Sequence, residues 1–187
     1  MNRLLLISFF YFFILTNAHA NKNYILLQNF KKVSDNKIIF MRHALAPGNG
    51  DPSNFIIDDC STQRNLDANG IRQSQIIGKN FKKFKIKFTK IFSSFWCRCK
   101  DTASFLNLGE FFTYKGLNSF YQGHVNKEET LSELNKLIDN LKLLKGTYLM
   151  ITHYVVIQAF TGISVQSGGM VVYDLKTKKS YYLKLKD

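Results

Sequence analysis

The sequence predicts an α/β fold: a mostly parallel sheet flanked by helices on both faces, with a C-terminal antiparallel hairpin. Short apolar runs of strand length alternate with segments whose apolar residues recur at helical spacing. Such alternation is typical of parallel sheets covered by helices. The last two apolar runs, at 170–175 and 181–185, instead flank a lysine-rich turn, which indicates a hairpin at an antiparallel edge.

The first 20 residues predict a secretory signal peptide. Arg3 is followed by apolar and hydroxyl residues at 4–15, and Ala18 and Ala20 supply the small residues for cleavage after Ala20. The alternative is an uncleaved anchor, although this run is short against the ~20 residues of a bilayer span. We therefore expect a leader at 1–20 and one periplasmic or secreted domain at 21–187, without an integral membrane segment.

The chain is strongly basic, with a formal net charge of +13 that becomes +12 when Arg3 leaves with the leader. A basic surface attracts phosphorylated substrates and other anions. The lysines are scattered except for a dense run at 82–90, which is most simply a solvated face. We predict no nucleic-acid partner, leave membrane-surface binding through 82–90 as an alternative, and make no prediction of oligomeric state.

The first third of the chain predicts a strand and a long loop. Residues 21–35 are polar and mixed, which indicates a lead-in. The apolar residues of 37–42 predict a buried strand, and the Gly, Asn and Asp residues of 44–64 predict a loop. Loops of more than ~15 residues inside compact domains are usually functional.

The middle of the chain predicts two helices around a strand. Asp67 is a suitable N-cap for a helix that continues to about residue 84 with its isoleucines near one face. Residues 88–95 predict an apolar strand. A helix follows at 101–108 and ends near Gly109.

The last third begins with an irregular segment at 114–121. Asn126 then caps a helix whose leucines repeat at helical spacing as far as Gly146. Residues 147–152 predict a third strand, and a short helix follows at 154–160 before the hairpin.

Three predicted strands end in residues suited to phosphate chemistry: Arg42 and His43, then Arg98, then His153. Carboxyl ends of parallel strands meet at one edge of a sheet, so these side chains are expected to converge. Arginine grips phosphate oxygens with two donors. A histidine flanked by cations loses proton affinity, which favours the neutral imidazole that nucleophilic attack requires.

The three cysteines leave at least one thiol unpaired within a monomer. Outside the cytoplasm a disulfide is permitted, and Cys60 could pair with Cys97 or with Cys99. Cys97 and Cys99 are not followed by a second cysteine pair, so the sequence predicts no metal site.

In four ordered segments, FMRHALAPG, STQRNLDANGIRQSQIIG, SSFWCRCKDTA and YLMITHYVVIQAFTG, the chain resembles the histidine phosphatase superfamily, the phosphoglycerate-mutase-like proteins. The segments span residues 38–162, about two-thirds of the chain. The positions that match the family's motifs are Arg42, His43, Leu66, Gly70, Gln73, Ser94, Arg98, Thr102, Ala103 and His153.

The resemblance implies a phosphoglycerate-mutase-like fold and a phosphatase that needs neither metal nor cofactor. His43 would be the nucleophile and form a phosphohistidine, which water would hydrolyse. Arg42, Arg98 and His153 would hold the phosphoryl oxygens. We include Asn49, in the loop after His43, as a further candidate substrate-binding residue.

Two positions depart from the family pattern. Ala44 stands where glycine usually follows the histidine, and Tyr154 stands where the acid-phosphatase branch has its aspartate. The general acid therefore has no assignment. Weak candidates are Glu110, Glu128, Glu129, Asp51, Asp58 and Asp59.

The short gap between Arg98 and His153 leaves no room for a cap domain, so we expect an open pocket. Such a pocket suits a small phosphorylated substrate, a phosphorylated glycan, a lipid head group or a phosphoprotein. Some small exported members of the family act on lipopolysaccharide core heptose phosphate. The alternative is a catalytically weak or inactive envelope protein that binds phosphorylated ligands in the same pocket.

Overall fold

The computed structural model describes residues 24–185, so the predicted leader lies outside the described residues. These residues form a seven-stranded sheet with helices on both faces, which confirms the predicted fold class. The strands are β1 Tyr24–Leu26, β2 Lys37–Arg42, β3 Lys90–Ser93, β4 Phe112–Thr113, β5 Thr147–Thr152, β6 Met170–Asp174 and β7 Ser180–Lys184. The α-helices are α1 Leu27–Phe30, α2 Ala68–Lys83, α3 Cys97–Leu106, α4 Lys127–Lys142 and α5 Tyr154–Thr161.

The strands lie in the order β1-β7-β6-β2-β5-β3-β4. Neighbours are parallel except where β6 pairs antiparallel with both β2 and β7, which confirms the hairpin. The prediction that this hairpin forms the edge of the sheet is wrong, because β1 pairs with the outer side of β7. The prediction of a polar lead-in missed β1 because Tyr24, Ile25 and Leu26 form an apolar run of only three residues.

The central strand β2 divides two apolar cores. Ile39 and Met41 face the core that α1, α2 and α3 cover, whereas Ile38 and Phe40 face the core under α4 and α5. All four side chains are fully buried. Because successive strand residues point to opposite faces, one run of four apolar residues supplies both cores and carries Arg42 to the edge of the sheet.

The junction between β3 and α3 is tighter than predicted. The strand ends at Ser93, and the helix begins at Cys97 rather than at residue 101. The Trp96 carbonyl accepts the amides of Cys99, at 2.9 Å, and Lys100, at 3.1 Å. The apolar residues after the strand therefore form its turn into the helix, which places Arg98 in the first helical turn.

Gly70 marks the close approach of α2 to the loop after β2. A Cβ atom at this position would lie 2.0 Å from the Leu45 carbonyl oxygen. We expect Gly70→Ala to lower the free energy of unfolding by about 1–3 kcal/mol, the usual cost of overpacking. Urea denaturation measures this cost, with Gln75→Ala on the exposed side of the same helix as control. Equal midpoints for the two variants would contradict the close approach.

None of the helices within residues 24–185 combines the length and the apolar character that a bilayer span needs.

Candidate active site

The ends of β2, β5 and β3 bring the predicted residues together at one edge of the sheet. The His43 amide donates to the Thr152 carbonyl at 2.9 Å, and the Ser94 amide donates to the Ile151 carbonyl at 2.9 Å. The rings of His43 and His153 lie edge to face, with centroids 5.4 Å apart. The three adjacent strands therefore gather at one place residues that are far apart in sequence.

The backbone fixes the tautomer of His43. Its Nδ1 lies 2.8 Å from the carbonyl oxygen of Ala44. A carbonyl can only accept, so Nδ1 carries the hydrogen and Nε2 keeps its lone pair. His43 is 2% exposed. The arrangement gives a neutral imidazole with a free nucleophilic nitrogen.

Burial and cationic neighbours keep both histidines neutral. Burial first, and then the charge of Arg98, lower the pKa of His43 to about 3. Burial, Arg98 and His43 in that order lower the pKa of His153 well below its usual value. Arg42 adds a smaller effect in the same direction on each. The sequence-based expectation of a neutral imidazole among arginines agrees with this geometry.

The lowered pKa predicts that His43 stays neutral from pH 8 down to about pH 4. In the unfolded chain its pKa is near 6.5, so below that pH the unfolded state binds a proton that the folded state rejects until about pH 3. Folding stability should therefore fall as the pH falls through this window. The neutrality of His43 is checked by following the imidazole NMR signals against pH, with the His43 signal assigned from its loss in a His43→Ala variant. Titration of that signal near pH 6.5 would contradict the prediction.

His153 is held by a polar chain behind the site. Its Nε2 lies 3.1 Å from the Ser94 hydroxyl, which also lies 3.1 Å from Oδ1 of Asn118. The amide oxygen can only accept, so Ser94 donates to Asn118 and the ring nitrogen of His153 donates to Ser94. The Trp96 ring packs edge to face against the same imidazole, at 5.3 Å. These contacts fix the orientation of His153.

Arg98 forms a buried ion pair with Asp51 of the long loop. Nη1 lies 2.7 Å from Oδ1 and Nη2 lies 3.0 Å from Oδ2, and both side chains are 3% exposed. The carboxylate also accepts the Trp96 indole N–H at 3.0 Å and the Arg64 amide at 3.1 Å. Burial alone would raise the pKa of Asp51, but the hydrogen bonds and charge of Arg98 hold it below its usual value. Asp51 is thus ionised and has no proton to give as a general acid.

Arg42, the last residue of β2, contacts Val165 and Tyr154. Its Nη1 donates to the Val165 carbonyl at 3.2 Å, and its guanidinium lies 5.1 Å from the ring centre of Tyr154. Within the described chain, the Nε atoms of Arg42 and Arg98 are buried and have no hydrogen-bond partner. Buried donors are normally satisfied, so these two N–H groups point to an anion as their partner.

The site is narrower than the open pocket that the sequence predicts. His43 and His153 are each 2% exposed and Arg98 is 3% exposed. Within residues 24–185 no cap domain covers them. The cover is instead the loop at 44–64, which brings Asp51 onto Arg98. The absence of a cap therefore did not leave the site open.

Two motif residues brace the loop that carries His43. The Thr102 hydroxyl accepts the Ala44 amide at 3.0 Å and donates to the Arg98 carbonyl at 2.7 Å. Oε1 of Gln73 accepts the Leu45 amide at 2.9 Å. The φ of Ala44 is not positive, so the backbone does not require the glycine that is usual at this position.

The remaining candidate residues lie farther out. Asn49 is exposed and donates to the Tyr121 hydroxyl at 3.2 Å, so its role as a substrate contact stays a prediction. Glu129 is exposed and lies 3.6 Å from Lys115. Asp59 caps the amide and hydroxyl of Ser61. The other three candidates for the general acid are exposed, and the structure gives none of them that role: Glu110, Glu128 and Asp58.

A disulfide resolves the alternatives that the cysteine count left open. Cys60 pairs with Cys97, while Cys99 is free and buried, with burial raising its thiol pKa to about 12. The bridge joins the loop to the start of α3, next to Arg98. Arg64 holds the same loop by donating to the Gly50 carbonyl at 2.8 Å and to the Ala46 carbonyl.

The sequence interpretation missed Arg64 because no spacing in the loop marks it. Its charge nevertheless lowers the pKa of both histidines. Within residues 24–185 no group of three histidine, cysteine or carboxylate side chains stands close enough to hold a metal ion.

The described residues adopt the fold of the histidine phosphatase superfamily. No family model matches the chain, and no curated protein matches it in sequence. Solved structures do match. The protein histidine phosphatase SixA, complexed with tungstate, is 14% identical with a TM-score of 0.54, over 78% of this chain and 93% of that one.

Two further solved structures are similar to the same extent. The α-ribazole phosphatase of Shigella flexneri is 14% identical with a TM-score of 0.57, over 81% of this chain and 96% of that one. Phosphoserine phosphatase of Entamoeba histolytica, in a complex with phosphoserine, is 18% identical with a TM-score of 0.54, over 78% of this chain and 94% of that one. At such identities the likeness shows the fold.

Proposed function

We propose that this chain is an exported phosphatase that hydrolyses phosphomonoesters through a phosphohistidine on His43. The observation that carries the proposal is the neutral, tautomer-fixed imidazole of His43 beside His153 and the two unpartnered guanidinium N–H groups. Nε2 attacks phosphorus, the ester P–O bond breaks, and the leaving oxygen takes the bonding electron pair, departing as phenoxide when the ester is an aryl phosphate. Water then attacks phosphorus, the P–N bond breaks, and phosphate and neutral histidine are released.

The arginines hold the charge that develops on the phosphoryl oxygens, whereas the one N–H of the neutral His153 ring is already donated to Ser94. Arg98 keeps its Nε edge available because Asp51 engages only Nη1 and Nη2. Fixed donors in a dry site need no reorganisation as charge develops. The described residues thus supply a nucleophile and cationic donors for the phosphoryl oxygens. The general acid has no assignment among them.

An aryl phosphate is the appropriate first substrate, because a leaving group of low pKa needs no acid from the protein. We expect phosphate release from p-nitrophenyl phosphate without added metal, and an acid-labile phosphate on the protein after rapid quenching. Saturable binding of the ester with no phosphate release would instead favour the catalytically inactive envelope binder.

Two observations support export and a bulky substrate. The leader pattern at 1–20 agrees with the Cys60–Cys97 disulfide, since disulfides persist in oxidising compartments. The rings of Tyr121 and Tyr154 pack 6.0 Å apart beside Arg42, and such aromatic side chains suit the sugar ring of a phosphorylated glycan. Release of phosphate from such esters, compared with small monoesters, tests the substrate class.

A further inference from the structure

The end of the sheet opposite the active site carries an unbalanced cluster of lysines. Four loops meet there, at 31–36, 85–89, 143–146 and 175–179, and we call their surface the lysine edge. Hydrogen bonds join the loops: the Lys37 amide donates to the Gly146 carbonyl at 3.3 Å, and the Leu175 amide donates to the Asn36 carbonyl at 3.0 Å. The hydroxyl of Thr147 donates to the Ser34 carbonyl at 2.7 Å. The lysine edge is thus one surface.

The charge of the lysine edge is positive and uncompensated. Its loops contain eight lysines, all exposed, and one acidic residue, Asp35. None of these eight lysines forms an ion pair within the part of the chain that the structure describes. The nearby carboxylate of Asp174 is engaged by Lys37 at 3.0 Å. On most protein surfaces lysines are interspersed with carboxylates, whereas the eight lysines of the lysine edge are accompanied by Asp35 alone within their loops.

Exposed aliphatic side chains stand among the lysines. Leu143 is 85% exposed, Leu144 is 54% exposed and Val33 is 45% exposed. Lysines next to exposed aliphatic side chains are the combination that binds anionic bilayers, because the charges attract the head groups while the aliphatic groups enter the interface. A nucleic acid offers no such apolar layer.

The lysine edge and the catalytic residues lie at opposite ends of the sheet. The loop at 31–36 precedes β2, and His43 follows the same strand. The catalytic histidines lie at the other end of β2, about 20 Å away for six residues.

We propose that the lysine edge docks on an anionic lipid bilayer and turns the active site away from the membrane. The docking is independent of the phosphatase reaction, so a His43→Ala variant should bind vesicles like the parent chain. Residues 24–185 form one sheet with its own two-sided core, so a chain that begins at Asn21 is a suitable test protein without the apolar run.

Co-sedimentation with phosphatidylcholine vesicles containing about one-third phosphatidylglycerol tests the proposal. We expect binding that falls as salt is added and that is absent with phosphatidylcholine alone. Lys87→Glu with Lys145→Glu should lower the partition coefficient at least about 30-fold, which corresponds to about 1 kcal/mol for each lysine removed.

Two variants complete the test. Arg72→Glu with Lys127→Glu makes the same change in net charge away from the lysine edge and should retain most of the binding. Leu143→Ser should weaken binding without changing its salt dependence. The proposal is overturned by an absence of binding, by equal binding to both kinds of vesicle, or by equal losses in the two charge-reversal variants.

Discussion

Replacing His43 by alanine is expected to lower phosphate release from an aryl phosphate by at least about 10⁴-fold, as loss of a covalent nucleophile does in other enzymes. The reason is that the phosphoryl group is transferred to Nε2 of His43, which stays unprotonated because Nδ1 donates to the Ala44 carbonyl. The pKa of His153 is also low, but its Nε2 donates to Ser94. The thiol of Cys99 is buried and stays protonated. Steady-state release from p-nitrophenyl phosphate measures the loss.

The control for this variant is His124→Ala. His124 is exposed and packs on the Phe55 ring of the loop at 44–64, with centroids 4.6 Å apart, so it is a histidine near the site to which the proposed mechanism gives no role. We expect it to keep normal turnover. Circular dichroism and thermal unfolding should show that both variants keep the fold. A folded His43→Ala protein with undiminished turnover would rule out the phosphohistidine mechanism.

The placement of the catalytic histidines was predictable because it depends on local pattern and on a general rule of sheet topology. The run Ile38–Met41 has the length and apolarity of a buried strand, and so does 147–152. Strands alternating with helices predict parallel pairing. Parallel pairing alone then carries His43 and His153 to the same edge.

The partner of Arg98 was not predictable in the same way. Asp51 lies 47 positions earlier in the chain, in a loop without periodic structure. Its position depends on the disulfide at Cys60, on the hydrogen bonds of Arg64 and on the path between them. Three loop aspartates were equivalent in the sequence, and only the tertiary structure distinguishes Asp51. For the same reason the closure of the site was missed.

The short strands and the start of α3 could not be predicted from the sequence pattern either. β1 and β4 contain three and two residues, too few for a periodic signal. The start of α3 was predicted four residues late because Phe95 and Trp96 favour a strand. Trp96 instead packs against His153 and bonds Asp51, so tertiary contacts override local preference there.

The second large effect is expected for Asp51→Asn, which should lower the free energy of unfolding by about 3–5 kcal/mol. The ion pair with Arg98 is buried on both sides, so the substitution leaves a buried cation without its counter-charge. Urea denaturation at pH 7 measures the loss. Asp58→Asn, on the exposed part of the same loop, should leave the midpoint unchanged.

A double variant separates the cost of an unpaired charge from the loss of packing. Asp51→Asn combined with Arg98→Met removes both charges, and we expect it to be more stable than Asp51→Asn alone, because the penalty of the buried lone cation disappears. It should release no phosphate, since the clamp is lost. If the single variant loses less than about 1 kcal/mol, the pair is open to water and does not hold Arg98 in place.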